Sequence, residues 1–285
     1  MRIEYNYRED ENLRRSFNEL AEKVFGLNFE NWYKNGFWKD NYIPYSVIED
    51  EKIVSNVSVN ICSMNYDGRI VKLIQLGTIM TDPDYRGRGY SKALMERVIS
   101  DYKDKVDGIY LFANDSVLDF YPKFGFRIGK EYQYSKDVDN NCETQVVLVS
   151  MTDKEAWDKM VRIINEKDQN SRFYMVENTG LYMFYLSQFM QENTFYIESC
   201  DSYAVAEIED DTLILHTIFG KGDVDQVISA FGNKIKKVVL NFAPKNIHGF
   251  VENELHEEDT TLFVMGKFFE KIKDEKLMFQ AITHA

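Results

Sequence analysis

The sequence predicts an α/β protein in two units, each a mixed, mostly antiparallel sheet flanked by helices, the second smaller than the first. Three observations carry that reading. The run from Tyr45 to Thr81, "YSVIEDEKIVSNVSVNICSMNYDGRIVKLIQLGTIMT", alternates in strand fashion around the polar turns "EDEK" and "NYDG", which makes three successive antiparallel strands. It feeds through a glycine-rich turn, "PDYRGRGYS", into the amphipathic stretch "SKALMERVISDY", and the continuously apolar strand "GIYLFA" follows. The order hairpin, helix, strand then recurs at lower fidelity in the second half, and 285 residues leave room for two domains of roughly 100–200 residues each.

The remaining elements fall into place around these. "ENLRRSFNELAEKVFG" puts Leu13, Phe17, Leu20, Ala21 and Val24 on one helical face, with Gly26 as its terminator. A shorter helix is expected at "FENWYKN", and "GFWKDNYIPY" reads as irregular and aromatic. "NDSVLDFYPKFG" reads as a short helix closed by Pro122 and Gly125. "FRIGKEYQYS" and "TQVVLVSM" are expected to finish the first sheet near residue 150. The units are therefore expected at 1–150 and 151–285, with a soft joint at 150–153. In the second, helices are expected at "DKEAWDKMVRIINEK", "TGLYMFYLSQFM" and "VDQVISAFG". Strands are expected at "TFYIES", "YAVAEIE", "TLILHTIF", "KKVVLNF" and "TTLFVMG".

Bulk chemistry excludes several functions. Thirty-four Lys and Arg against 47 Asp and Glu give a formal charge of −13, the wrong sign for nucleic acid and compatible with a cationic acceptor. Cys62, Cys142 and Cys200 are odd in number and scattered, so they suggest neither a disulfide framework nor a zinc site. His216, His248 and His256 lack ligand spacing, and no metal is expected. No apolar run approaches the ~20 residues that span a bilayer, and "MRIEYNYRED" has charges where a signal peptide is apolar. No membrane partner and a cytoplasmic location are expected, and a homo-oligomer is left open.

The turn carries the chemistry. Main-chain N–H groups at the start of a helix point outward, and the helix dipole adds about half a positive charge there. Gly87 and Gly89 let an anion approach the backbone, while Arg86 and Arg88 supply charge at the rim. A tight connection, an Arg-Gly tract for RNA and a dinucleotide loop are the alternatives. The last fails on spacing, because Lys92 stands where G-x-G-x-x-G needs its third glycine.

The wider stretch "TIMTDPDYRGRGYSKALMERVI" resembles the coenzyme A-binding motif of the GCN5-related N-acetyltransferases (GNAT). That motif is Arg/Gln-x-x-Gly-x-Gly/Ala, here Arg86, Gly89 and Ser91, the last a departure. "NDSVLDFYPKFGF" is similar to the family's second motif through Asn114, Val117, Phe120, Tyr121, Gly125 and Phe126. The resemblance covers about residues 1–150 and implies the GNAT fold, with a degenerate GNAT-like copy behind it. It also implies acetyl-CoA as co-substrate and direct transfer of its acetyl group to an amine of a small molecule or peptide. By the same resemblance, Ile79, Met80 and Thr81 hold the pantetheine arm, and amides from Gly87 through Arg88, Gly89, Tyr90, Ser91 and Lys92 take the pyrophosphate. Asn114 binds the cofactor where two strands splay, and Tyr121 protonates the leaving thiolate. Trp32, Trp38, Tyr42 and Tyr45 precede the first hairpin, where this fold places substrate loops, and aromatic faces attract cations. No spacing selects a general base. The apolar tail "LMFQAITHA" offers the Ala285 carboxylate as one candidate, by analogy with multidomain relatives that acetylate aminoglycosides. The rival function is a catalytically silent coenzyme A-binding sensor module.

Overall fold

The computed structural model describes residues 2–165 and 170–284. The chain opens with β1 (Arg2–Tyr5), helix α1 (Glu11–Phe25) and the short α2 (Glu30–Lys34). The Asp10 carboxylate starts α1 by accepting the N–H groups of Asn12 and Leu13. Gly26 ends it with φ 70°, a left-handed cap that glycine adopts without strain. Then come β2 (Tyr42–Glu49), β3 (Lys52–Tyr66), β4 (Arg69–Thr81), α3 (Tyr90–Tyr102), β5 (Gly108–Ala113), β6 (Arg127–Ile128), β7 (Tyr132–Asp137) and β8 (Val146–Leu148). The later part adds α4 (Lys154–Ile164), β9 (Phe173–Val176), α5 (Thr179–Gln188), β10 (Thr194–Ile197), β11 (Ser202–Glu209) and β12 (Thr212–Gly220). It closes with α6 (Val224–Ala230), β13 (Lys237–Leu240), β14 (Val251–Glu254), β15 (Thr261–Met265) and α7 (Lys267–Lys271). Glu166 and Lys167, expected to finish α4, lie outside the described residues.

Two sheets result, mostly antiparallel and flanked by helices, as expected. The first has the order β1-β2-β3-β4-β5-β15-β6, with β9 on the far end of β3; the second runs β14-β7-β13-β12-β11-β10-β8. The sheets do not divide at residue 150. β7 and β8, expected to finish the first sheet, pair with β13 and β10 of the second. In exchange β15, read as a strand of the second unit, lies antiparallel to β5 from Thr261↔Ala113 to Met265↔Ile109. β5 borders β4 on one edge, and its other edge would leave unpaired N–H and C=O groups if β15 did not cover it.

Side-chain alternation splits the core of the first sheet between its faces. Val47, Val57, Leu76 and Leu111 pack on Leu94, Met95 and Val98 of α3. The opposite face meets Phe17, Leu20 and Ala21 of α1 and joins, through α5 and the tail from Leu277 to Ile282, the apolar core of the second sheet. "NDSVLDFYPKFG" forms two 3-10 turns, Asp115–Val117 and Tyr121–Phe124, rather than one α-helix. Pro122 has no N–H to give a helix, and Asp115 is held from outside by Asp259. No helix among the described residues is long and apolar enough to cross a membrane.

Candidate active site

β4 and β5 run parallel for only three rungs, Leu73↔Gly108 to Gln75↔Tyr110, and then part. The cause lies on the other edge of β4. Its register with β3 slips between Asn56 and Ser58, and Thr78 takes up the extra residue with φ 45°, a left-handed conformation unusual for a β-branched side chain. Asn56 Nδ2 donates to Thr78 O at 2.8 Å and Tyr42 OH pairs with Thr78 Oγ1 at 2.7 Å, so the bulge is held from both sides.

Beyond it the chain enters the glycine-rich turn. Gly87 and Gly89 have φ of 77° and 80°, and a Cβ on either would meet nothing within 4 Å. Gly89 caps α3 without any side-chain hydrogen bond. Among the described residues, no protein acceptor is found for the N–H groups from Gly87 to Lys92; the next amide, Ala93, bonds Gly89 O at 3.0 Å. Six amides are thus left to solvent or a ligand. Arg88 lies 4.5 Å from the centre of the Tyr85 ring and donates to Asp84 O, which fixes its charge at the rim. Thr81 Oγ1 and Ser91 Oγ pair at 2.7 Å and tie the strand end to the first turn of the helix.

A cleft of 650 Å³ joins this turn to the gap between the strands. Ile79, Met80, Thr81, Arg86, Gly87, Arg88, Gly89, Tyr90, Ser91, Lys92, Asn114 and Tyr121 all line it, so every cofactor and catalytic residue singled out from the sequence faces one space. Tyr121 is 4 % exposed and packed by Phe120, Phe126 and Phe263 at ring-centre distances of 5.3, 6.3 and 5.4 Å. Burial pushes its phenol up to about 12, so it stays protonated at neutral pH. Asn114 is less free than its sequence suggests, because its Nδ2 donates to Asp259 Oδ2 at 2.9 Å. Asp259 gave no signal in the sequence; only the pairing of β15 brings it to Asn114.

A second cavity, of 310 Å³, adjoins the cleft. Phe25 borders both, and consecutive residues of β4 divide between them, Thr78 facing the pocket and Ile79 to Thr81 the cleft. Trp32 and Tyr42, both singled out from the sequence, line the pocket. Trp38 does not; 2 % exposed, it packs behind them, its Nε1 donating to Tyr42 O. Tyr45 faces the α3 side, stacked on Tyr5 at 5.0 Å. The rest of the wall was not foreseen: Leu181, Phe184 and Tyr185 of α5, Phe189, and His284 near the chain's end. Trp32 Nε1 donates to Gly180 O at 2.8 Å, and a Cβ on Gly180 would sit 2.3 Å from Phe37 O, so only glycine lets α5 approach this closely. His284 stacks on Phe112 of β5 at 3.7 Å, and its Nε2 is sealed from solvent without a partner among the described residues. The Ala285 carboxylate lies outside the described residues. Among them, no cluster of three or more His, Cys, Asp or Glu could hold a metal.

Residues 8–129 match the sequence model of an acetyltransferase (GNAT) domain. The chain is similar to GCN5-related N-acetyltransferase 2, chloroplastic, of Arabidopsis thaliana, at 37 % identity over 54 residues. That stretch is 19 % of this chain and 21 % of the plant protein, about a fifth of the relative's length. Among solved structures, a probable N-acyltransferase from Enterococcus faecalis superposes with a TM-score of 0.64 at 15 % identity, over 95 % of this chain and 74 % of that one. Eis1 from Mycobacterium abscessus superposes with a TM-score of 0.58 at 13 % identity, over 92 % and 73 %. At such identities the likeness is one of fold, and it extends across both sheets.

Proposed function

We propose, from the premise that residues 8–129 make this chain a member of the GNAT acetyltransferase family, that it transfers the acetyl group of acetyl-CoA directly to a primary amine. One observation carries the reading: a single cleft joins six unbonded amides at a helix start to a buried, protonated phenol. The residues suit the co-substrate. The amides from Gly87 to Lys92, with Arg86 and Arg88 beside them, would hold a diphosphate. The edge of β4 left unpaired after Gln75 would bond an amide-bearing arm laid in place of β5. When bound, acetyl-CoA supplies an activated thioester at the parted strands.

The neutral amine nitrogen would bond the acetyl carbon as the C–S bond breaks, Tyr121 would give its proton to the departing thiolate sulfur, and the proton shed by the nitrogen would pass through solvent to restore the phenol. Phe120, Phe126 and Phe263 hold the ring in one orientation and keep water from its flank. The acceptor would enter from the pocket behind Thr78, on the other side of β4 from the cleft. We read the second unit as a degenerate copy of the first that lends α5 and the tail to this pocket. In Tyr121→Phe, calorimetry should find coenzyme A affinity unchanged, while release of free thiol falls at least roughly tenfold. Full turnover in that variant would remove Tyr121 from the reaction, whereas coenzyme A binding by the unaltered chain with no thiol release for any amine would favour a binding module.

A further inference from the structure

The wall of the acceptor pocket contains no Asp, Glu, Lys or Arg among the described residues. Its polar groups are nearly all engaged already. Tyr42 OH pairs with Thr78 Oγ1, Tyr185 OH donates to the His284 carbonyl at 2.5 Å, and Trp32 Nε1 is bound to Gly180 O. At the mouth, Phe25 and Phe189 are 44 % and 52 % exposed, large rings that water covers only at a cost. Phe184 stacks on Phe29 at 5.2 Å behind them, so the apolar surface continues from rim to floor.

We propose that the acceptor is a primary amine carried on one compact apolar body, an arylalkylamine, and not a polycation such as an aminoglycoside or a polyamine. This rests on the acetyl-transfer reading above and narrows it. A ligand with several ammonium groups would have to strip water from each charge against described lining residues that offer no carboxylate in return. An arylalkylamine has a single charge to place. Its ring would fill the apolar floor, its nitrogen would lie near Thr78 where β4 turns toward the cleft, and aromatic faces tolerate one cation. His284 fits the same picture. Burial drives its imidazole down to about 3, so the ring is neutral at working pH and does not repel an ammonium. The chain's acidity, compatible with cations when read from the sequence, places no Asp or Glu among the described lining residues of this pocket.

The test uses the full chain and two readouts. Thiol release is measured with phenethylamine and tryptamine against kanamycin and spermidine. Phenethylamine binding is followed separately by tryptophan fluorescence, since Trp32 stands in the wall. We expect kcat/KM at least tenfold higher for the two arylalkylamines. In Phe189→Gln, an uncharged substitution at an exposed rim position that spares the core, phenethylamine affinity should fall at least tenfold with coenzyme A affinity intact. Kanamycin or spermidine turned over as well as phenethylamine would overturn the inference while leaving the transferase reading standing. So would phenethylamine affinity that Phe189→Gln fails to move, or no phenethylamine binding at all. Binding that is lost in Phe189→Gln, without acetylation of any amine, would support the pocket assignment and sink the transferase reading instead.

Discussion

Between Arg69 and Ala113 the chain runs strand, turn, helix and parallel strand, and between Thr212 and Leu240 it does so again. Both turns hold two glycines and at least one cation, "RGRG" in the first and "GKG" in the second. They differ in what meets the amides where the helix begins. α3 starts with no capping side chain and no acid in its first turn. α6 starts at Asp223, whose carboxylate accepts the Gln226 N–H while the Gln226 side-chain oxygen accepts the Asp223 N–H. The space is closed as well: a Cβ on Gly222 would meet Cys200 Sγ at 2.5 Å. Lys221 is paired with Asp201 at 2.7 Å. The gap beyond the second strand pair is taken by the tail, where Gln280 Nε2 donates to Thr217 Oγ1 and Tyr182 OH donates to Gln280 Oε1. Connectivity alone therefore does not make an anion site. A helix start binds an anion only while its amides are unspent, and the second unit has given its own to an internal carboxylate.

The sharpest way to break this contrast is to give α3 what α6 has. Ser91→Asp puts a carboxylate into the first turn of α3, where the helix dipole favours it and no left-handed backbone is disturbed. Folding stability should hold or rise slightly, while coenzyme A affinity falls by at least about two orders of magnitude, because the new charge faces the diphosphate. The two responses are read by thermal melting and calorimetry. Affinity within a factor of two of the unaltered chain would mean that these amides are not the grip.

A second test asks what holds the tail that closes the other unit. Glu131 is buried where the chain crosses from the first sheet to the second, and its carboxyl accepts the Phe279 N–H at 2.8 Å. Burial raises that carboxyl from 4.5 to about 8. The folded state thus favours the protonated acid. Its contribution to stability is complete below pH 4.5, declines as pH climbs, and is gone once pH passes about 8. Glu131→Gln keeps an acceptor for the amide and removes the titration. At pH 5 the two proteins should melt together. At pH 9 the variant should be more stable by a few kcal/mol, since each tenfold change in proton affinity is worth roughly 1.4 kcal/mol. Melting curves that run parallel from pH 5 to 9 would show that Glu131 is not held protonated by burial.

How much of this could be read from the sequence follows the same contrast. The cleft was legible because its chemistry depends on backbone and sits in two short stretches, Ile79 to Lys92 and Asn114 to Tyr121. The pocket was not, because Phe25 and Trp32 meet Phe184 and His284 across more than half the chain. α5 is buried nearly all round, so its composition says that it is interior but not which face looks into a cavity. β15 was assigned by chain order to the wrong sheet, since a strand of five residues, "TLFVM", fits either edge and only the exposed side of β5 decides. Asp259 escaped for the same reason, its hold on Asn114 existing only once β15 is placed.

The smallest expected effect comes from opening the second turn. Asp223→Ala removes the carboxylate that satisfies the start of α6, and losing such a cap costs about 1 kcal/mol, a fall of some 2–4 °C in Tm for a chain near this size. Asp223→Ser, which keeps a side-chain acceptor, should recover most of it. Neither change should create a second coenzyme A site, because Cys200 and Ser202 still fill the space beside Gly222. Nor should either weaken the first site, whose amides belong to another sheet. Calorimetry of Asp223→Ala should therefore return a stoichiometry of one and an unchanged affinity. A stoichiometry near two would mean that the capping carboxylate alone, and not the packing around Gly222, separates a closed turn from an open one.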